Sequence, residues 1–145
     1  MKISTKGRYA LRMLIELASH PENSYVSLKE VSEHQNISKK YLEQIVPMLN
    51  KSGILRTIRG NRGGYMLAKP PYACTVGDVL RATEGSLVPV ACLDRDVNDC
   101  PRAADCETLY VWEGLAKTVN DYLDSITLQD ILDHMTDQNG NDYCI

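Results

Sequence analysis

Apolar residues recur at three- and four-residue steps over residues 4–19, where Tyr9, Ala10, Met13, Leu14 and Leu17 share one helical face. Pro21 ends that helix. Ser27, with Glu30 three residues on, predicts a capping box opening a second helix whose apolar contacts are Leu28 and Val31. Asn36 marks a turn. Ser38 then caps a third helix, with Leu42, Ile45, Val46 and Leu49 as its buried stripe and Gly53 at its end. Pro47 removes one backbone hydrogen bond inside that helix and predicts a kink or a break. Beyond it the composition turns strand-like at residues 54–58 and 65–67. Between these lies Arg59-Gly60-Asn61-Arg62-Gly63-Gly64, a sequence suited to a tight, exposed hairpin tip. Pro70-Pro71 close the segment.

In the second half, Thr75 with Asp78 caps a short helix carrying Val76, Val79 and Leu80, and Gly85 is its stop. Residues 92–106 are too polar to pack as a core element, with Val97 the one sizeable apolar residue after Leu93. From about residue 105 a long helix is expected to reach Ile126, with Leu109, Trp112, Leu115, Ala116, Val119, Leu123 and Ile126 forming a seam of roughly three heptads. A chain of this length has few other elements to cover such a stripe, so a partner subunit is expected. Thr127 with Asp130 opens a short last helix, and the polar tail from Thr136 is read as loose. The expected architecture is mainly α with a small β-hairpin wing: a winged helix-turn-helix over residues 1–71, a connecting helix over 72–91, a cysteine loop over 92–106, a dimerisation helix and final short helix over 107–135, and a flexible tail over 136–145.

Charge sharpens this picture. The net charge of the 145 residues is only −3. Residues 1–69, however, hold twelve Lys and Arg against five acids, a balance of +7, and residues 70–145 a balance of −10. A basic first half is the footprint of a polyanion-binding module. No apolar run approaches a membrane span, and Arg8, Arg12 and Glu16 interrupt the first apolar stretch, so neither a membrane anchor nor a signal peptide is expected and the protein is read as cytoplasmic.

A helix, a short turn and a second helix form a helix-turn-helix pattern, and a hairpin directly after it reads as a wing. The DNA-contacting candidates are Ser38, Lys39, Lys40, Tyr41, Glu43 and Gln44 at the start of the third helix, with Arg59 and Arg62 on the wing. Three of the five cysteines, Cys92, Cys100 and Cys106, fall in the polar loop with gaps of seven and five residues. An odd count argues against a closed set of disulfides, and clustered thiols in a reducing compartment point to a metal, an iron–sulfur cluster or a redox switch. Zinc usually takes a close Cys-x-x-Cys pair, which is missing here. Cys74 reads as a small buried residue, Cys144 as incidental, and His20, His34 and His134 as plain surface histidines. No phosphate loop, nucleophile elbow or paired-histidine motif is present, so an enzyme is not expected.

The opening MKISTKGRYALRMLIELA, the segment SKKYLEQI, and IRGNRGGYMLAKP followed by TVGDVLRATEG resemble the iron–sulfur cluster regulators of the IscR type. Relatives in that family are the nitric-oxide-responsive NsrR type, the iron-responsive RirA type and the cluster-free CymR type of cysteine metabolism. The resemblance runs from residue 1 to about residue 132. It implies a homodimeric winged helix-turn-helix regulator, a repressor, that binds double-stranded operator DNA, with a cluster loop ahead of a long dimerisation helix. It further implies recognition through Lys40, Tyr41, Glu43 and Gln44. Arg59 is implied to enter a minor groove, and Cys92, Cys100 and Cys106 to be thiolate ligands of a 2Fe–2S or 4Fe–4S cluster. A glutamate such as Glu43 accepts from cytosine N4 and repels phosphate. Two departures stand out. The family loop has five residues in each gap, and here the first has seven. The fourth ligand is a histidine in the IscR type, where this chain has Leu109, and an aspartate of the partner's first helix in the NsrR type, where this chain has Arg8. Asp105, Glu107, or an exogenous water or small thiol could serve instead. The alternative is a cluster-free thiol or zinc switch regulating sulfur metabolism, acting partly through a protein partner.

Overall fold

A computed structural model describes residues 1–141. Three helices come first: α1 (Thr5–Ala18), α2 (Leu28–Gln35) and α3 (Lys39–Lys51). A two-stranded hairpin follows, β1 (Leu55–Ile58) and β2 (Gly64–Leu67). Then come α4 (Val76–Glu84), α5 (Leu109–Ser125) and α6 (Leu128–Asn141), with 3-10 turns at Pro71–Ala73, Ala91–Leu93 and Ala103–Asp105. The protein is mainly helical with one small antiparallel hairpin.

The expected helical stripes are the core. Ala10, Met13, Leu14 and Leu17 of α1, Leu28 and Val31 of α2, and Leu42, Ile45, Val46 and Leu49 of α3 are all buried in one cluster. The three helices begin on side-chain caps: Ser4, Ser27 and Ser38 accept from the backbone N–H three residues on. At Ser27 only half of the expected capping box forms: Ser27 accepts from the Glu30 N–H, while the Glu30 carboxylate lies 4.0 Å from His20, just past the end of α1. The turn between α2 and α3 is made by Asn36 in the left-handed conformation, φ 52°. α3 continues through Pro47, so the expected break is absent. Pro47 and Glu43 both lie on the exposed side, where water can serve the carbonyl that the proline leaves unbonded.

The hairpin pairs Leu55 with Leu67 and Ile58 with Gly64. Its root is fixed to the helices by Val26, which exchanges two backbone hydrogen bonds with Tyr65 (2.9 and 2.8 Å). Gly64 backs onto this bridge: a Cβ there would lie 2.5 Å from the Val26 carbonyl oxygen. At the tip Gly60 has φ 113°, a conformation that disfavours side chains.

Thr75 and Asp78 form a complete capping box at α4. The backbone of Val76 donates to Ile126 (2.8 Å), and that of Leu128 donates to Cys74 (2.9 Å). These bonds bring the start of α6 against the start of α4. Leu128 is fully buried in the cluster formed by α1, α2 and α3. The last helix therefore closes the core of the first three. It was expected to be short, yet it runs to Asn141, helped by the reciprocal cap of Thr127 and Asp130 and the exposed i,i+4 bond from Gln129 to Asp133. The remainder of the expected tail, with Cys144, lies outside the described residues.

α5 begins at Leu109 rather than near 105. Cys106 is extended (φ −82°, ψ 106°), which separates the turn at Ala103–Asp105 from the helix. The expected seam is also divided. Leu123 and Ile126 pack on Val76, Leu80 and Leu87 of the same chain. Leu109, Trp112, Ala116 and Val119 are half-buried, whereas Tyr110, Val111, Leu115 and Tyr122 are exposed, Tyr110 by 74% and Tyr122 by 63%. α4 thus covers part of the stripe that the sequence assigns to a partner. The outward face is Val111, Leu115 and Tyr122, with Tyr110 beside it. α5 is further held to α4 by Arg81, which pairs with Asp124 and donates to Asn120 Oδ1 (3.1 Å).

Candidate nucleic-acid interface and cysteine loop

Ser38 presents the start of α3 to solvent, its hydroxyl oxygen accepting from the Tyr41 N–H at 3.2 Å. Lys39, Lys40, Glu43 and Gln44 are exposed. Tyr41 is different: it is half-buried, and its ring meets Tyr9 edge-on at 5.3 Å. The opposing Tyr9 ring also carries the Arg12 guanidinium at 5.3 Å. Tyr41 thereby fixes the azimuth of α3 on α1, an orienting role beside the DNA contact expected of it from the sequence. Arg59 and Arg62 stand at the hairpin tip, both exposed. Among the described residues neither they nor Lys39 and Lys40 form an ion pair. Four cations thus remain available to phosphate.

Cys92 lies in the turn Ala91–Leu93, Cys100 accepts no side chain but its N–H donates to Asn98 Oδ1 (3.0 Å), and Cys106 ends the turn Ala103–Asp105. All three are half-buried and free of disulfides. The Cys106 sulfur is 3.7 Å from Thr108 Oγ1. That hydroxyl, with the backbone N–H of Thr108 and Leu109 where α5 begins, pulls the Cys106 pKa below the ordinary thiol value. Cys74 is the opposite case: burial pushes its thiol up to about 11. The three loop sulfurs do not lie within 4.8 Å of one another. In donor chemistry the loop fits a cluster: three unpaired thiols, one held toward thiolate, and a buried Asn98 Nδ2 with no acceptor. Holding one group on all three requires the loop to draw together. Asp105 and Glu107 are exposed next to Cys106, while Arg8 is occupied with Thr5 Oγ1 (3.1 Å).

One cluster of side chains escaped the sequence reading. Glu16 accepts from His34 Nδ1 (2.8 Å) and Gln35 Nε2 (2.8 Å) and contacts His20 Nε2 (3.2 Å). Burial opposes ionisation of Glu16, but the bonds from His34, Gln35 and His20 win and hold its pKa below the usual value. The hydrogen bond to Glu16 raises the His34 pKa. His20 and His34, read as plain surface histidines, converge here. The signal available was their common offset of four residues from a glutamate.

A family profile named Rrf2 and described as "Iron-dependent Transcriptional regulator" matches residues 3–134. The chain belongs to the Rrf2 family. Among Rrf2 relatives, the HTH-type transcriptional regulator CymR of Bacillus subtilis is 41% identical over 131 residues, spanning 90% of this chain and 89% of that protein. The solved structure of CymR, described as the global cysteine regulator of B. subtilis, has a TM-score of 0.75 at 39% identity and covers 92% of this chain and 98% of its own. The structure of T. potens IscR has a TM-score of 0.72, also at 39% identity, covering 93% and 88%. This Rrf2 chain is accordingly a DNA-binding transcriptional regulator and not an enzyme. The expected winged helix-turn-helix resemblance is correct at the level of family and fold. No helix among the described residues is long and apolar enough to cross a membrane.

Proposed function

We propose that this Rrf2 regulator is a cytoplasmic, homodimeric bacterial repressor that binds double-stranded operator DNA through α3 and the hairpin, and that it senses iron–sulfur status, oxidants or nitric oxide through a cluster on Cys92, Cys100 and Cys106. The observation that carries the sensing role is the loop itself. It holds three disulfide-free thiols and ends where α5 begins, with Cys106 three residues before Leu109. When bound, the cluster supplies a redox- and nitric-oxide-reactive centre. The chain's own parts do the rest. Lys39 and Lys40 meet phosphate, Glu43 and Gln44 face base edges, and Arg59 and Arg62 reach the minor groove. The outward apolar face of α5 meets its copy in the second subunit. α5 is bound to α4 through Arg81, so a tightened loop at the start of α5 alters the separation of the two recognition helices. That separation must match half-sites one helical turn apart, about 34 Å.

One observation favours a second reading. The three sulfurs stand apart and Cys106 is held toward thiolate, as in a thiol or zinc switch of sulfur metabolism. Iron and sulfide analysis of anaerobically purified protein separates the two. The cluster reading expects both elements and a visible absorbance lost on replacing Cys92, Cys100 and Cys106 with Ala. Colourless protein without sulfide refutes it. Arg59→Ala and Arg62→Ala are each expected to flatten the salt dependence of operator binding, by about one phosphate contact. Unchanged binding removes the hairpin from the interface.

A further inference from the structure

The end of α1 with the turn after it, and α2, carry the same short pattern. Glu16 precedes His20 by four residues, and Glu30 precedes His34 by four. Four-residue spacing puts Glu30 and His34 on one face of α2, while His20, two residues past the end of α1, turns back to within 3.2 Å of Glu16. The packing of α1 on α2 then sets the pairs opposite one another. Glu16 Oε1 lies 2.8 Å from His34 Nδ1 and 3.2 Å from His20 Nε2, and Glu30 Oε1 lies 4.0 Å from the same His20 nitrogen. Ligand atoms of Glu16, His20 and His34 all fall within 4.8 Å of one another, the only such trio of His, Cys or carboxylate groups among the described residues.

We propose that Glu16, His20 and His34, with Glu30 as the fourth donor, form a binding site for a divalent transition-metal ion of the Zn2+ class at the junction of α1 and α2. Two imidazole nitrogens and carboxylate oxygens are a donor set for such ions rather than for Ca2+ or Mg2+, which take oxygen alone. Metal–ligand bonds of about 2.0–2.1 Å put tetrahedral ligand atoms about 3.3 Å apart. The observed separations of 2.8, 3.2 and 4.0 Å straddle that value. The trio is already gathered within 4.8 Å, whereas the Glu30 carboxylate, 4.0 Å from His20, must turn inward to complete the set.

The surroundings suit a ligand set. Gln35 Nε2 donates to Glu16 Oε2 (2.8 Å), and Arg12 Nε in turn donates to Gln35 Oε1 (3.3 Å). This chain orients the central carboxylate in the way that outer partners orient metal-bound groups. The Glu16 side chain is 13% exposed and that of His34 is 54%, so the carboxylate is fixed inside while one side stays open to an incoming ion. α2 leads through the single left-handed residue Asn36 into α3. An ion that fixes α2 on α1 therefore also limits the freedom of the recognition helix. The site uses no cysteine and stands independently of the loop at residues 92–106.

The test is Zn2+ titration of the full-length protein against a chromophoric chelator. It is repeated on a chain with Cys92→Ser, Cys100→Ser, Cys106→Ser and Cys144→Ser, which removes competing thiolates. One equivalent is expected in the serine chain, and its Co2+ form should show ligand-field bands without thiolate charge transfer. His20→Gln and His34→Gln retain an amide able to bond Glu16 but are poor ligands. Each is expected to weaken Zn2+ binding at least about tenfold, with melting in EDTA unchanged. No bound Zn2+ in the serine chain, or glutamine variants that bind Zn2+ as tightly as the chain with both histidines, overturns the proposal.

Discussion

Replacing Leu128 with Ala tests whether the last helix belongs to the body of the DNA reader. Leu128 is fully buried in the one cluster that also holds the buried faces of α1, α2 and α3, and its N–H donates to the Cys74 carbonyl. Removing a buried leucine side chain forfeits about 1.5–3 kcal/mol of burial. The cavity adds to this, so Leu→Ala changes in closed cores cost about 2–5 kcal/mol. We expect about 3 kcal/mol, because helices enclose the residue and restrict collapse. With a urea m-value of about 1.5–2 kcal/mol/M for a chain of this size, the unfolding midpoint falls by about 1.5–2 M. Stability of a dimer depends on protomer concentration, so wild type and variant are compared at one concentration. Unfolding followed by far-UV circular dichroism and by Trp112 fluorescence should shift together. A loss below about 1 kcal/mol, or a shift seen only in the fluorescence of Trp112 on α5, refutes the placement of α6 in the reader's core.

Gly64→Ala drives a methyl into the Val26 carbonyl and breaks two backbone hydrogen bonds at the hairpin root, a loss of about 2–4 kcal/mol. Amide exchange at Tyr65 should quicken while that at Leu42 stays slow; protection retained at Tyr65 contradicts the close approach. Leu115→Glu puts a charge on the outward face of α5 and should shift sedimentation toward monomer with the helical content kept, whereas an unchanged sedimentation coefficient moves the dimer contact elsewhere. In metal-free protein Cys106 should alkylate ahead of Cys74. Its lowered pKa gives more thiolate at pH 7–8, and the buried Cys74, with its thiol pushed up to about 11, should stay protected across that range. Peptide mass mapping after timed iodoacetamide treatment reads the order, and equal rates contradict it.

The first three helices were legible because each buries a single face in one core, which writes a 3.6-residue period into the chain. Ser27 and Ser38 mark the starts of the second and third, and the glycines of residues 60–64 mark the hairpin. What was less legible depends on contacts between distant segments. The stripe on α5 reads as one seam, but α4 covers Leu123 while Leu115 stays outside, and periodicity alone does not say which neighbour covers which residue. The start of α5 was misplaced because extended Cys106 interrupts a stretch whose composition permits helix. Glu30 reads as a local cap, and its carboxylate instead faces His20 in the turn after α1. The convergence of His20 and His34 on Glu16 exists only once α1 and α2 are packed.

The position of Leu128 has a consequence for synthesis. The reader's core is assembled from the first and the last helices, and the cysteine loop and α5 are an excursion between them. A chain emerging from the ribosome at about 5–20 residues per second exposes α3 and the hairpin early, but its core stays open until residue 128 and the turn behind it have cleared the exit tunnel. An unfinished chain therefore lacks the packed core that holds α3 and the hairpin in place, and that core closes only after the cysteine loop has been made.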